Sequence, residues 1–309
     1  MIRVVQGDFS VLGVKQQSNA QSLPGQQGDP FSHAERIKTM TREALQSAEA
    51  RGMEKLLLPV INSGVVADSV SIAARVMVPE VRRHLCLSSS LQEITFALAD
   101  LEGVSLFNEL VERSRVVCLG DSITHGYPDG PDFSWVQVVQ QATGWEMVNK
   151  GVSGETTGEM LQRYATDVRS EKPAYLIFAG GHNDGWRDVP VEEACDNIKR
   201  VAALALQDGI CPILVLPSPL NIQQMLQSFE GTYEEGVAYN NKLQQIRTWI
   251  AQYASAQGLL TLDFYSPLLD ILTGQGNPHY LLDGGHPTHE GYRVLGKSAL
   301  EQLQGRLHL

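Results

Sequence analysis

Serine, imidazole and carboxylate occur together in this chain at positions where a nucleophilic acyl transfer would need them. Gly120-Asp121-Ser122-Ile123-Thr124 follows an apolar run and puts a serine in a tight strand-to-helix turn. A hydroxyl there is exposed and lies beside free backbone N–H groups, which suits either a nucleophile or a helix cap. Asp283-Gly284-Gly285-His286-Pro287 holds a carboxylate and an imidazole three residues apart, so one turn can carry both. A serine hydroxyl attacks poorly until a neutral imidazole accepts its proton, and a carboxylate on the other ring nitrogen fixes the tautomer. Two further turns are rich in glycine and polar groups: Asn149-Lys150-Gly151-Val152-Ser153-Gly154-Glu155-Thr156 and Gly180-Gly181-His182-Asn183-Asp184. Glycine lets backbone approach a ligand closely, and a tetrahedral intermediate needs donors aimed at its oxyanion. Asp121 is expected to hydrogen-bond within its own turn and not to transfer a proton, and it is a candidate ligand-binding residue.

The elements around these turns follow one rhythm. Apolar runs predict strands near 115–119, 145–149, 174–179, 212–217 and 259–263. Helical spacing predicts helices near 134–142, 156–169, 190–208, 234–257 and 289–304. Alternating strand and helix define an α/β domain with a parallel sheet, a three-layer doubly wound arrangement over 113–309. Ligands of such sheets bind beyond the carboxyl ends of the strands, where all four turns fall. Residues 218–236 form a long insertion after the fourth strand, either a lid or a packed excursion.

The first third reads as a smaller α/β domain, residues 1–112. Ile2–Gln6 is a predicted strand and 10–32 a polar loop. A helix over 33–51 stops at Gly52, a strand covers 56–61, a helix 68–85, a strand 91–98 and a helix 103–112.

Across roughly 114–309 the four motifs, in this order and spacing, resemble the SGNH hydrolases, also called the GDSL esterase and lipase family. The resemblance implies a flavodoxin-like sheet order. It implies Ser122 as nucleophile, His286 as general base and Asp283 as its orienting carboxylate. It also implies an oxyanion hole of the Ser122 and Gly154 N–H groups and the Asn183 amide. Within 1–112, Val5-Gln6-Gly7-Asp8 and the segment 53–66 look like parts of a truncated, degenerate macro domain, with only 50 residues between Asp8 and Pro59. That second resemblance implies nucleotide contacts at Asp8, Ser63 and Gly64.

Composition narrows the alternatives. The chain has 309 residues and a net charge of −11, with −3 in residues 1–112 and −8 in 113–309. That is the wrong sign for a protein living on phosphate backbones, so nucleic acid is not an expected partner. No run reaches the ~18 apolar residues of a membrane span and no export signal is apparent, which predicts a cytoplasmic protein without membrane partners. Cys86, Cys118, Cys195 and Cys211 are scattered, as buried thiols would be, and no metal or other cofactor is expected. Gly291 to Ser298 matches a phosphate-loop pattern but falls inside the last predicted helix, where a loop is required. His125, His182 and His279 are either pocket-mouth residues or parts of polar networks, and His289 is a helix-start residue.

The leading expectation is a serine esterase that cleaves a small-molecule, short-chain acyl ester through an acyl-enzyme. Two competitors stay open. One is a deacylase of a nucleotide-linked ester such as acylated ADP-ribose, and the other is a ligand-binding protein whose catalytic geometry has decayed. Oligomeric state is not legible.

Overall fold

The computed structural model describes residues 1–7, 30–60, 69–87 and 89–309. Two compact units divide it, Met1–Arg113 and, in the main, Ser114–Ala205 with Ile210–Leu307.

In the first unit β1 (Ile2–Gln6), β2 (Lys55–Pro59) and β3 (Glu93–Leu98) form a parallel sheet in the order β1-β3-β2. Three helices accompany it: α1 (Pro30–Ala50), α2 (Ser69–Cys86) and α3 (Leu101–Val111). Leu45, Val78, Val81, Ile94, Phe96 and Phe107 are fully buried, and the rings of Phe96 and Phe107 meet at 4.9 Å. α1 begins at Pro30, three residues ahead of the sequence expectation, since proline's fixed φ suits a first helical turn. Asp8, Ser63 and Gly64, on which the macro-like reading depends, lie outside the described residues.

The second unit is a five-stranded, wholly parallel sheet of β4 (Val116–Gly120), β5 (Met147–Gly151), β6 (Tyr175–Ala179), β7 (Cys211–Leu216) and β8 (Leu260–Asp263). Its order is β5-β4-β6-β7-β8, the flavodoxin-like arrangement. The strands read as near-continuous apolar runs because both faces are covered. On one face Val117, Leu119, Leu176, Phe178 and Leu214 pack on Ile198, Val201 and Ala202 of α9 (Val191–Gln207) and on Ile246, Ile250 and Ala254 of α11 (Tyr233–Gln257). α5 (Trp135–Thr143) and α12 (His289–Leu303) pack together as a pair, with buried Trp135, Val139, Leu295 and Ala299. Trp135 meets Phe264 edge-on at 5.1 Å. The phosphate-loop look-alike lies inside α12, where a loop cannot form.

Between β4 and α5 stands the short α4 (Ser122–His125), and after β6 the short α8 (His182–Trp186). The single helix expected over 156–169 is divided into α6 (Thr157–Gln162) and α7 (Tyr164–Asp167) by Arg163, whose backbone leaves the helical region. Within 218–236 a short helix α10 (Ile222–Ser228) buries Ile222 and Met225, so the first half of this stretch is packed, while residues 229–235 are exposed. A two-residue antiparallel pair, β9 (Leu269–Asp270) with β10 (Gln275–Gly276), was not foreseen. No helix among the described residues is long and apolar enough to cross a membrane.

Candidate active site

The chain enters the sheet at β4, turns to β5 on one side and then to β6 on the other, so the topological switch lies between β4 and β6. Ser122 follows β4 and Asn183 follows β6, which puts both at that switch. The cap of α4 is Asp121, whose carboxylate accepts from the Ile123 N–H at 2.9 Å. Ser122 is thereby released from capping, and its Oγ lies 2.9 Å from His286 Nε2. Asp121 itself is buried.

The turn at 283–286 is built around one carboxylate. Asp283 Oδ1 accepts from the backbone N–H of Gly285 at 3.1 Å and of His286 at 2.8 Å, while Oδ2 is 2.7 Å from His286 Nδ1. With Nδ1 donating to Asp283, Nε2 presents its lone pair to the Ser122 hydroxyl. Burial acts to raise the Asp283 pKa, but the His286 ring and the backbone donors outweigh it and hold the carboxyl below its ordinary range. The group is therefore a carboxylate at neutral pH.

α10 braces that turn. Gln224 Nε2 donates to the carbonyls of Leu281 at 2.7 Å and Leu282 at 3.2 Å, and the Asn221 N–H donates to Gly284 O at 2.8 Å. Gly284 has φ +87°, and a Cβ there would stand 2.4 Å from Met225 N and 2.5 Å from Asn221 O. Gly284→Ala meets both backbone strain and two unyielding backbone atoms, so it should lower unfolding free energy by about 1–3 kcal/mol. Urea denaturation checks this, and an unchanged midpoint would show that the brace is loose.

The two remaining turns are tied to each other. Gly154, exposed with φ +84°, adopts a conformation that suits glycine, and its turn ends in the Thr156–Glu159 capping box of α6. Asn183 Nδ2 donates to Glu155 O at 2.9 Å. Buried Asp184 accepts from Thr157 N at 3.0 Å and Thr157 Oγ1 at 2.6 Å. Burial raises the Asp184 pKa and these donors oppose the rise. Arg163 joins the pair to β4, with Nε on Glu155 Oε2 at 2.5 Å and Nη2 on Gly120 O at 3.0 Å.

Beside Asp121 a cavity of about 20 Å³, room for one water molecule, is lined by Asp121, His182, Ser218 and Phe264 among others. His182 belongs to this interior network: Nδ1 is 3.0 Å from Tyr239 Oη and Nε2 is 2.9 Å from Ser218 Oγ. Burial, then the charges of Arg247 and His286, push its pKa down to about 3. Burial pushes the Asp121 pKa up to about 6, against the Ile123 N–H. The two act oppositely on stability. As pH falls below about 6.5 the unfolded chain protonates at His182 and the folded chain does not, so stability is lost down to about 3. Between about 6 and 4 the folded state takes up a proton at Asp121 first, so stability is gained there. His182→Gln removes only the losing partner. Its stability relative to the parent should improve by about 2 kcal/mol between pH 7 and pH 5, and equal differences at the two pH values in urea titrations would contradict that.

Tyr127, which no sequence signal marked, lies with its ring 4.4 Å from that of His286. Its N–H donates to Ser122 O at 3.0 Å, and buried Tyr292 donates its hydroxyl to Tyr127 O at 3.0 Å. His289 opens α12 and bonds Asp129 at 2.7 Å, and the His279 carbonyl accepts from Thr288 Oγ1. His125 is partly buried at the end of α4. The four cysteines are buried and, among the described residues, form no disulfide.

A flavodoxin-like sheet with a serine, an asparagine and an Asp–His turn at its carboxyl edge is the architecture of an SGNH hydrolase. The sequence model of the GDSL-like Lipase/Acylhydrolase family matches residues 118–294. The chain belongs to that family. A solved structure assigned to the lipolytic G-D-S-L family, from Desulfitobacterium hafniense, is 31% identical, superposes with a TM-score of 0.54 and is covered over 99% of its length by 62% of this chain. The uncharacterized lipoprotein YqeF of Bacillus subtilis is 28% identical over 197 residues, 57% of this chain and 76% of its own. Esterase TesA of Pseudomonas aeruginosa is 24% identical over 171 residues, 53% and 85% of the two chains.

Proposed function

We propose that the chain is a serine esterase that cleaves a short-chain acyl ester through an acyl-enzyme. The observation that carries this reading is the unbroken series Ser122 Oγ, His286 Nε2, His286 Nδ1, Asp283 Oδ2, with contacts of 2.9 and 2.7 Å. His286 Nε2 accepts the Ser122 proton as Oγ attacks the carbonyl carbon. The oxyanion is received by the Ser122 and Gly154 N–H groups and by Asn183, which has a second amide hydrogen beyond the one given to Glu155. His286 then returns the proton to the departing alcohol. In the second half-reaction it deprotonates a water that attacks the acyl carbon, while Asp283 holds the ring throughout. The esterase named among its relatives supports the reaction class.

The test is covalent. A fluorophosphonate probe should add one phosphonyl group at Ser122, read by peptide mass spectrometry, and His286→Ala should suppress it. Labelling elsewhere, or labelling indifferent to His286, would overturn the assignment.

A further inference from the structure

Loop 126–133 carries exposed groups, one of which lies beside His286. Tyr127, 40% exposed, lies against the His286 ring. Two residues on, Asp129 Oδ2 meets His289 Nε2 at 2.7 Å, with both side chains about half exposed. Phe133, 49% exposed, stacks on His289 with centroids 4.8 Å apart and planes within 13°. Loop 126–133 and the start of α12 thus carry an exposed ring beside His286, a carboxylate–imidazole pair and a second exposed ring stacked on that pair.

Chemistry fixes which part of an ester meets these groups. On the esterase reading, on which the inference rests, His286 must hand its proton to the leaving oxygen, so the alcohol half lies against His286 and Tyr127. An alkyl leaving group would cover the Asp129–His289 pair and strip its water without replacing the hydrogen bonds. A sugar satisfies both kinds of surface. The C–H face of its ring lies flat on an aromatic face, and its hydroxyls bond the carboxylate, whose oxygens each accept more than one hydrogen bond. We propose that Tyr127, Asp129, Phe133 and His289 form a leaving-group subsite for a carbohydrate, so that the natural ester is an O-acylated sugar.

The whole chain is assayed with 6-O-acetylglucose and with ethyl acetate, following acetate release. The expected kcat/KM for the sugar ester is at least about tenfold the higher. Phe133→Ala and Asp129→Asn should each reduce that ratio by about tenfold, through KM, and Phe133→Tyr should retain it. A ratio near one in the parent, or a ratio untouched by both variants, overturns the subsite while fluorophosphonate labelling of Ser122 shows that the acyl-transfer machinery is intact. Absence of labelling in the parent would instead sink the esterase reading and the subsite with it.

Discussion

Asp283→Asn is expected to lower kcat for p-nitrophenyl acetate by about 10⁴ while leaving the fold intact, and Ser122→Ala to bring turnover to background. The carboxylate does three things at once: it binds two backbone N–H groups of its own turn and the His286 Nδ1. An asparagine side chain can keep the backbone bonds through its carbonyl oxygen. Its NH2 then faces Nδ1 and bonds the ring only if Nδ1 is the acceptor, which moves the ring proton to Nε2 and leaves nothing to accept the Ser122 proton. A wrong tautomer in a preserved site costs about four orders of magnitude in a serine hydrolase of unrelated fold. Stopped-flow and steady-state assays on variants with parental circular dichroism check it. A loss under tenfold would mean that His286 is oriented by something other than Asp283.

Asn183→Ala should reduce kcat by about 10²–10³, toward the upper end of the range for a single oxyanion donor. The reason for the upper end is local. The Asn183 amide donates to Glu155 O, directly after Gly154, so its removal loosens the Gly154 N–H as well as deleting its own donor. KM should change far less than kcat, because the interaction strengthens as charge develops on the carbonyl oxygen. A kcat within threefold of the parent would exclude Asn183 from the hole.

Much of this site could be read before any fold was known. The five strands were legible because Val116–Leu119, Tyr175–Ala179 and their neighbours are covered on both faces and so lack polar interruptions. Gly120-Asp121-Ser122 and Asp283-Gly284-Gly285-His286 were legible because a tight turn restricts residue type. The sequence left Ser122 divided between cap and nucleophile, and the structure gives the cap to the Asp121 carboxylate on Ile123 N. The brace by α10 was illegible for a different reason. Gln224 bonds two backbone carbonyls more than fifty residues away, and a glutamine aimed at backbone imposes no pattern on the partner's side chains. Tyr127 was missed likewise, since its position is set by Tyr292, 165 residues later. Arg163 broke the helix expected over 156–169 because its guanidinium is used between Glu155 and Gly120, a demand that helical periodicity does not encode.

The hydroxyl and the imidazole that touch across the site are 164 residues apart, and the Asp–His turn comes after β8, the last strand of the sheet. Synthesis runs from the N-terminus and domains organise as they emerge. A nascent chain can therefore complete every strand while its serine still has no base. On the proposed triad, Ser122 is armed only when the Asp283–His286 turn has left the ribosome and docked, so a partly made chain carries an inert alcohol.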